Sequence, residues 1–158
     1  MTHVISVIVH NKPGVLSRVS GLFSRRGYNI DSLSVGVTED PKYSRMTVAV
    51  SGDDKIIMQI KNQLNKLEDV VKVTELRDGE SVCRELVLVK VKADISTRQH
   101  VISIADVFRA NIVDVSPESL MIEITGNKGK IEAFINLLDG FEIQELVRTG
   151  LTGLTRGL

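Results

Sequence analysis

The sequence predicts an α+β chain built as two consecutive βαββαβ sandwiches. Three observations carry that reading. Strand-like and helix-like periodicities follow the order strand, helix, strand, strand, helix, strand in the first half, and the same order recurs in the second. A charged run, Arg77-Asp78-Gly79-Glu80-Ser81, separates the halves and holds no large apolar residue. With no Trp, four Phe and two Tyr, the cores must be built from Val, Ile and Leu, which suit sheets. The expected division is a first domain over 1–76, a linker over 77–81 and a second domain over 82–158.

In the first half, His3 to Val9 is β-rich and apolar. Helical spacing follows at Val15, Val19, Leu22 and Phe23, and Arg25-Arg26-Gly27 ends it with a cationic last turn and a glycine stop. Ile30 to Val37 and Arg45 to Val50 read as strands joined by the polar turn Thr38-Glu39-Asp40-Pro41-Lys42. In the later strand, Met46, Val48 and Val50 face one way and Arg45, Thr47 and Ala49 the other. Asp53 is placed to cap a helix whose apolar face is Ile56, Ile57, Ile60, Leu64 and Leu67. Val70 to Leu76 closes the set.

The second half repeats the order. Arg84 to Val91 is a strand, and Val101, Ile104, Ala105 and Phe108 mark a helix. Ile112 to Val115 and Leu120 to Ile124 flank the turn Ser116-Pro117-Glu118. A helix carrying Ile131, Phe134, Ile135 and Leu138 follows, then a strand from Phe141 to Val147. The repeat is one of element order, without residue-by-residue identity. Each half, about 75 residues, is near the size at which one core gives only marginal stability. Burial of an open sheet face or edge by a second copy is therefore expected, giving a homodimer at least.

Twenty basic residues balance twenty acidic ones, which argues against a nucleic-acid binder that works through a strong positive field. The lone Cys83 excludes an internal disulfide framework, and a reduced, cytoplasmic setting is expected. Met1-Thr2-His3-Val4 has neither a basic leader with an apolar core nor an Arg/Ser-rich transit segment, and no apolar run is long enough to cross a bilayer.

The stretch that carries chemistry is His10-Asn11-Lys12-Pro13-Gly14-Val15-Leu16, between the first strand and the first helix. Pro13 fixes the turn, and Gly14 removes a side chain where the backbone enters the helix. The first amides of a helix have no intrahelical partner and carry partial positive charge. A free carboxylate can dock against the N–H groups of Gly14, Val15 and Leu16. Asn11 offers an acceptor and a donor for an ammonium or carboxylate group. A hydrated tight connection with no ligand accounts for the same spacing, so both readings stand at this point.

An Asn-x-x-Gly-x-Leu turn opening the first helix of a βαββαβ unit resembles the ligand loop of ACT domains, amino-acid-binding regulatory modules that pair side by side. The longer run Pro13-Gly14-Val15-Leu16-Ser17-Arg18-Val19, Gly21 through Gly27, and Tyr28-Asn29-Ile30-Asp31-Ser32-Leu33 is more specific. With Thr38-Glu39-Asp40, Ser44-Arg45-Met46-Thr47 and the closing Val147-Arg148-Thr149-Gly150-Leu151, it is similar to the small regulatory subunit of acetohydroxyacid (acetolactate) synthase. No longer tail is expected beyond Arg156-Gly157.

The resemblance implies two ferredoxin-like sandwiches, the first an ACT domain, and a chain without its own active site. It implies a catalytic large-subunit partner that condenses 2-ketoacids with thiamine diphosphate, a divalent metal (Mg) and FAD; no cofactor is expected on this chain. The small subunit would raise that partner's activity and confer feedback inhibition by valine or a related branched-chain amino acid. Carried over by position, Asn11, Gly14, Val15 and Leu16 would bind ligand from one protomer, while Asn29 and Ile30 approach from the neighbour. Asn29 would supply a polar contact and Ile30 part of an apolar pocket; without the resemblance they read as a turn residue and a core residue. A stand-alone amino-acid-responsive ACT protein acting on another target is the alternative, weakened by the lack of a separate helix-turn-helix segment.

Other motifs point to structure. His3, His10 and His100 belong to no metal-ligand pattern, and Cys83 has no evident catalytic partner. Asp53-Asp54 is accounted for by helix capping. Gly126-Asn127-Lys128-Gly129-Lys130 lacks the Walker spacing and the Ser/Thr after Lys, so a turn and helix start are expected. RNA recognition by the same element order needs aromatic residues on the central strands, where Arg45 to Val50 has none. The second domain carries no loop like Asn11 to Leu16 and is expected to serve dimerisation or partner contact.

Overall fold

A computed structural model describes residues 1–157. Its elements run β1 (Thr2–His10), α1 (Val15–Arg25), β2 (Ile30–Val37), β3 (Tyr43–Ser51), α2 (Asp54–Asn65) and β4 (Val70–Leu76). There follow β5 (Ser81–Lys92), α3 (Arg98–Val107), β6 (Asn111–Ser116), β7 (Ser119–Gly126), α4 (Lys128–Leu137), β8 (Ile143–Arg148) and β9 (Thr152–Thr155). The twice-repeated βαββαβ order is the one expected, and β9 is an additional strand.

In the first unit, strands order as β2-β3-β1-β4, all neighbours antiparallel. Alternation sends Ile5, Val7 and Val9 of β1 and Met46, Val48 and Val50 of β3 to the helical side. There they meet Val15, Val19, Leu22 and Phe23 of α1 and Ile57, Ile60 and Leu64 of α2. Asp53 caps α2 as expected, its Oδ1 accepting the Ile56 amide at 2.9 Å.

The second unit orders its strands β6-β7-β5-β8, again antiparallel. Val87, Val89 and Val91 of β5 and Leu120, Ile122 and Ile124 of β7 form a core with Val101 and Ala105 of α3 and Ile131 and Phe134 of α4. Phe108 packs edge-on against Phe134 at 5.4 Å between ring centres. Asn127 caps α4, its Oδ1 taking the Lys130 amide at 2.9 Å, so the glycine-lysine run is a helix start.

The division between units differs from the expected one. The first comprises Met1–Cys83 and the chain from Leu151 onward, and the second Arg84–Gly150. Two features explain the shift. Ser81, taken as the linker's last residue, already belongs to β5, so the boundary falls inside a strand and not in a flexible loop. The closing segment belongs to the first unit: the Ser34 hydroxyl donates to the Leu151 carbonyl at 3.1 Å, and the Arg156 amide donates to the Glu80 carbonyl at 2.8 Å.

That return also corrects the expectation of an open sheet face in the first unit. On the side away from α1 and α2, Ser6, Thr47, Ala49 and Leu76 are buried. Over them come Leu151 and β9, whose Gly153 lies against Leu76, Val82 and Cys83. What this unit leaves bare are its edges: β2 and β4 each have one strand neighbour, and Val35 and Val37 of β2 are exposed.

Candidate functional site

The turn between β1 and α1 is held from below. The Asn11 amide donates to the Lys42 carbonyl at 2.8 Å, and its side-chain Nδ2 donates to the Pro41 carbonyl at 3.0 Å. Asn11 is thereby fastened to the β2–β3 turn by two of its donors, and its exposed side chain is left with the acceptor Oδ1 and the second Nδ2 N–H. Gly14 is the α1 N-cap, with φ +85° in the left-handed region that a side chain disfavours. No side chain caps this helix. The Val15 amide reaches Lys12 O only at 3.4 Å, and among the described residues no protein acceptor takes the amides of Gly14, Leu16 or Ser17. Unpaired donors at the positive end of a helix suit an anionic group.

The expected ligand residues fall into two groups. Asn11, Gly14, Val15 and Leu16 gather at the turn. Val15 is buried in the core, so it presents only backbone to the turn, while Leu16 is about half exposed. Asn29 and Ile30 stand at the start of β2. Asn29 Nδ2 donates to Asp31 Oδ1 at 2.7 Å, and Ile30 is half-buried and packs against the core of its own unit.

Strand register places these groups at opposite ends of one sheet. Val9 stands beside Ser44, which stands beside Val37, whereas His3 stands beside Val50, which stands beside Ile30. The six residue steps from His3 to Val9 amount to about 20 Å of strand. A small molecule gripped at Gly14 is therefore out of reach of Ile30 in the same chain.

Two residues of the site were not anticipated. Arg18, one helical turn after Gly14, sends its guanidinium back over the glycine: a Cβ built at position 14 would lie 3.0 Å from Nη1. Its Nε and Nη2 both donate to Asp69 Oδ2, at 2.8 and 2.7 Å. The i, i+4 spacing of Gly14 and Arg18 was readable in the sequence, since helical side chains lean toward the N-terminus. The pairing with Asp69 was not, because it spans 51 positions. Beside this pair is a cleft of about 350 Å³, floored by Val15, Val19 and Leu67 and rimmed by Lys12, Glu68 and Asp69.

A separate polar cluster joins β1, α2 and β4. His3 Nδ1 meets Glu75 Oε1 at 3.0 Å, and Lys61 and Arg77 approach Oε2 at 3.9 and 3.3 Å. Burial raises the Glu75 pKa, but the His3 hydrogen bond, the Arg77 hydrogen bond and charge, and the Lys61 charge together hold it below the ordinary carboxylate value. Among the described residues, no cluster of three or more His, Cys, Asp or Glu is arranged to hold a metal ion, and no helix is long and apolar enough to cross a membrane.

Two βαββαβ sandwiches in tandem, the first opening its leading helix on a left-handed glycine, define a ferredoxin-like protein of the ACT type. Comparison with known proteins matches the two halves of the chain in sequence order, the second match running on through the closing segment that folds back onto the first unit. Residues 5–72 match the AHAS small subunit-like ACT domain, and residues 84–157 match the family described as the small subunit of acetolactate synthase. The acetolactate synthase small subunit of Mycobacterium bovis is 54% identical over 156 residues, spanning 99% of this chain and 93% of that protein. The one from Mycolicibacterium smegmatis is 51% identical over 156 residues, spanning 99% and 92%. The crystal structure of the acetolactate synthase small subunit from Thermotoga maritima superposes with a TM-score of 0.92 at 46% identity, covering 100% of this chain and 99% of that one. The chain belongs to the family of acetolactate synthase small subunits.

Proposed function

We propose that this chain stimulates a catalytic acetolactate synthase large subunit and makes it subject to feedback inhibition by valine or a related branched-chain amino acid. The 2-ketoacid condensation, with its thiamine diphosphate, Mg and FAD, belongs to the partner. This chain contributes a sensor. Its ligand carboxylate docks on the amides of Gly14, Val15 and Leu16, and its ammonium is accepted by Asn11 Oδ1.

The observation that carries the reading is the pairing of unpartnered amides at Gly14 with an unpartnered strand edge at β2. Two copies that join their β2 edges antiparallel about a two-fold axis centred between Leu33 and Ser34 bring Ile30 of one level with Val37 of the other. Val37 is at the Asn11 end of its sheet. The same operation therefore closes the 20 Å gap, about the span noted above, and delivers Asn29 and Ile30 of the neighbour to the turn. It also covers the exposed Val35 and Val37. A ligand bridging two copies stabilises the arrangement it binds better, and that preference is what the catalytic subunit would sense.

The test mixes this chain with a purified catalytic large subunit, with and without valine. Turnover should rise on mixing and fall again as valine is added; no change in either condition overturns the proposal. Gly14→Asp should weaken valine binding measured by calorimetry, because it puts a second carboxylate where the ligand's belongs. Undiminished affinity would count against this placement of the ligand.

A further inference from the structure

We propose that Arg18 is the cation that receives the ligand's carboxylate at the α1 entrance, held in position for that task by Asp69. This rests on the reading that a small amino acid docks at Gly14 to Leu16. The geometry that points to Arg18 is independent of that reading.

A side chain one turn into a helix leans back toward the first turn. Arg18 does so, and its reach ends directly over Gly14, with Nη1 at 3.0 Å and Cζ at 3.8 Å from where a Cβ would stand. The φ of +85° is what calls for glycine at position 14, and the guanidinium lies close enough that an added Cβ would have to push it aside. Asp69 takes Nε and Nη2 on a single oxygen, and the Asp69 carbonyl in turn accepts the His10 amide at 2.9 Å. The acid is therefore anchored to the end of β1 by its own backbone.

A guanidinium is a rigid planar fork. Fixing Nε and Nη2 aims Nη1, and among the described residues Nη1 has no hydrogen-bond acceptor, although it is the nitrogen nearest the Gly14 Cβ position. A carboxylate resting on the unpaired amides would meet a charged donor already turned toward it. Arg18 is about half exposed, and an ion pair that open adds little to folding stability. Such a pair can still orient a ligand-binding cation, because the lost side-chain freedom has already been spent before the ligand arrives.

The full chain is titrated by calorimetry with L-valine and with L-valinamide, which keeps the ammonium and the side chain but lacks the carboxylate. Wild type should favour valine. Arg18→Ala should lose about tenfold in valine affinity and little in valinamide affinity, narrowing the preference, as expected for one partly exposed charge-assisted hydrogen bond. Arg18→Lys, which keeps the charge without the fork, should fall between. Asp69→Asn, which leaves Arg18 in place, should retain more of the preference than Arg18→Ala does. If Arg18→Ala keeps the wild-type preference, Arg18 has no role toward the ligand and the docking site at Gly14 stands without it. If wild type binds neither compound, the reading of the turn itself fails and this inference falls with it. Should Arg18→Ala not fold, a Lys variant with an unaltered preference overturns the proposal equally.

Discussion

Gly153 passes so close to Cys83 that a Cβ at position 153 would stand 2.6 Å from the sulfur. The same Cβ would lie 2.8 Å from the Val82 carbonyl oxygen and 3.0 Å from a Leu76 methyl. The closing strand is therefore packed without slack onto the end of β4 and the start of β5, over a sheet face whose Ser6 and Thr47 are buried. Gly153→Ala should destabilise the chain by about 1–3 kcal/mol, the usual cost of forcing one extra carbon into a filled site. Adding Cys83→Ala should recover only part of that loss, because the Val82 carbonyl remains in the way. Urea unfolding measures both, and an unchanged midpoint for Gly153→Ala would show that the returning segment is not seated there in solution.

The two side-chain helix caps give a second expectation. Asp53 Oδ1 takes the Ile56 amide, and Asn127 Oδ1 takes the Lys130 amide, each at 2.9 Å. Replacing either by Ala should cost about 1 kcal/mol. One cap serves each unit, so the paired variant should show nearly the sum. A double variant no less stable than either single one would contradict independent caps.

These caps also mark what was legible in advance. Asp53 before an apolar helical stripe is a local signal, as are the period-two alternation of Met46, Val48 and Val50 and the glycine at the α1 entrance, so the sandwiches and the turn were readable. The division into units was not. Gly79 and its charged neighbours look like a linker, yet Ser81 to Cys83 join a strand that continues into the second unit. Leu151 to Thr155 returns to the first unit through contacts 70 or more positions away in sequence. Long-range pairings leave no periodic trace, and this also hid the pairing of Arg18 with Asp69. The far placement of Asn29 from Asn11 became measurable only once strand register was known.

Glu75 makes stability depend on acid. Its carboxyl is held below the ordinary value: burial raises it, but the His3 hydrogen bond and the Arg77 and Lys61 cations together outweigh that effect. A folded-state value lower than the unfolded one stabilises the fold above the unfolded pKa, and the contribution disappears as pH falls through the folded one. The loss belongs to the acid region, beneath the ordinary glutamate value of about 4.3. Glu75→Gln should accordingly be less stable than wild type at neutral pH, with the gap closing as the pH drops below that value. Thermal unfolding across pH 7 to 3, about the range that brackets the transition, would settle it. A gap that widens toward acid would reverse the sign assigned to this cluster.

The proposal of a site shared between two copies makes the strictest demand. Asn11 and Asn29 lie at opposite ends of one sheet, so Asn11→Ala and Asn29→Ala should each abolish tight valine binding in their own homodimers. Mixed in equal amounts and allowed to exchange, the two variants form dimers about half of which are hybrids. In a hybrid, one site collects both lesions and the other collects neither, because each site draws Asn11 from one copy and Asn29 from the other. About one quarter of all sites should then bind valine with wild-type affinity, and calorimetry should report that fraction as stoichiometry, not as an intermediate affinity. Recovery of no sites at all, after exchange has been confirmed by differently tagged chains, would mean that both residues serve the ligand from a single chain or not at all, and the antiparallel joining of β2 edges would lose its functional support.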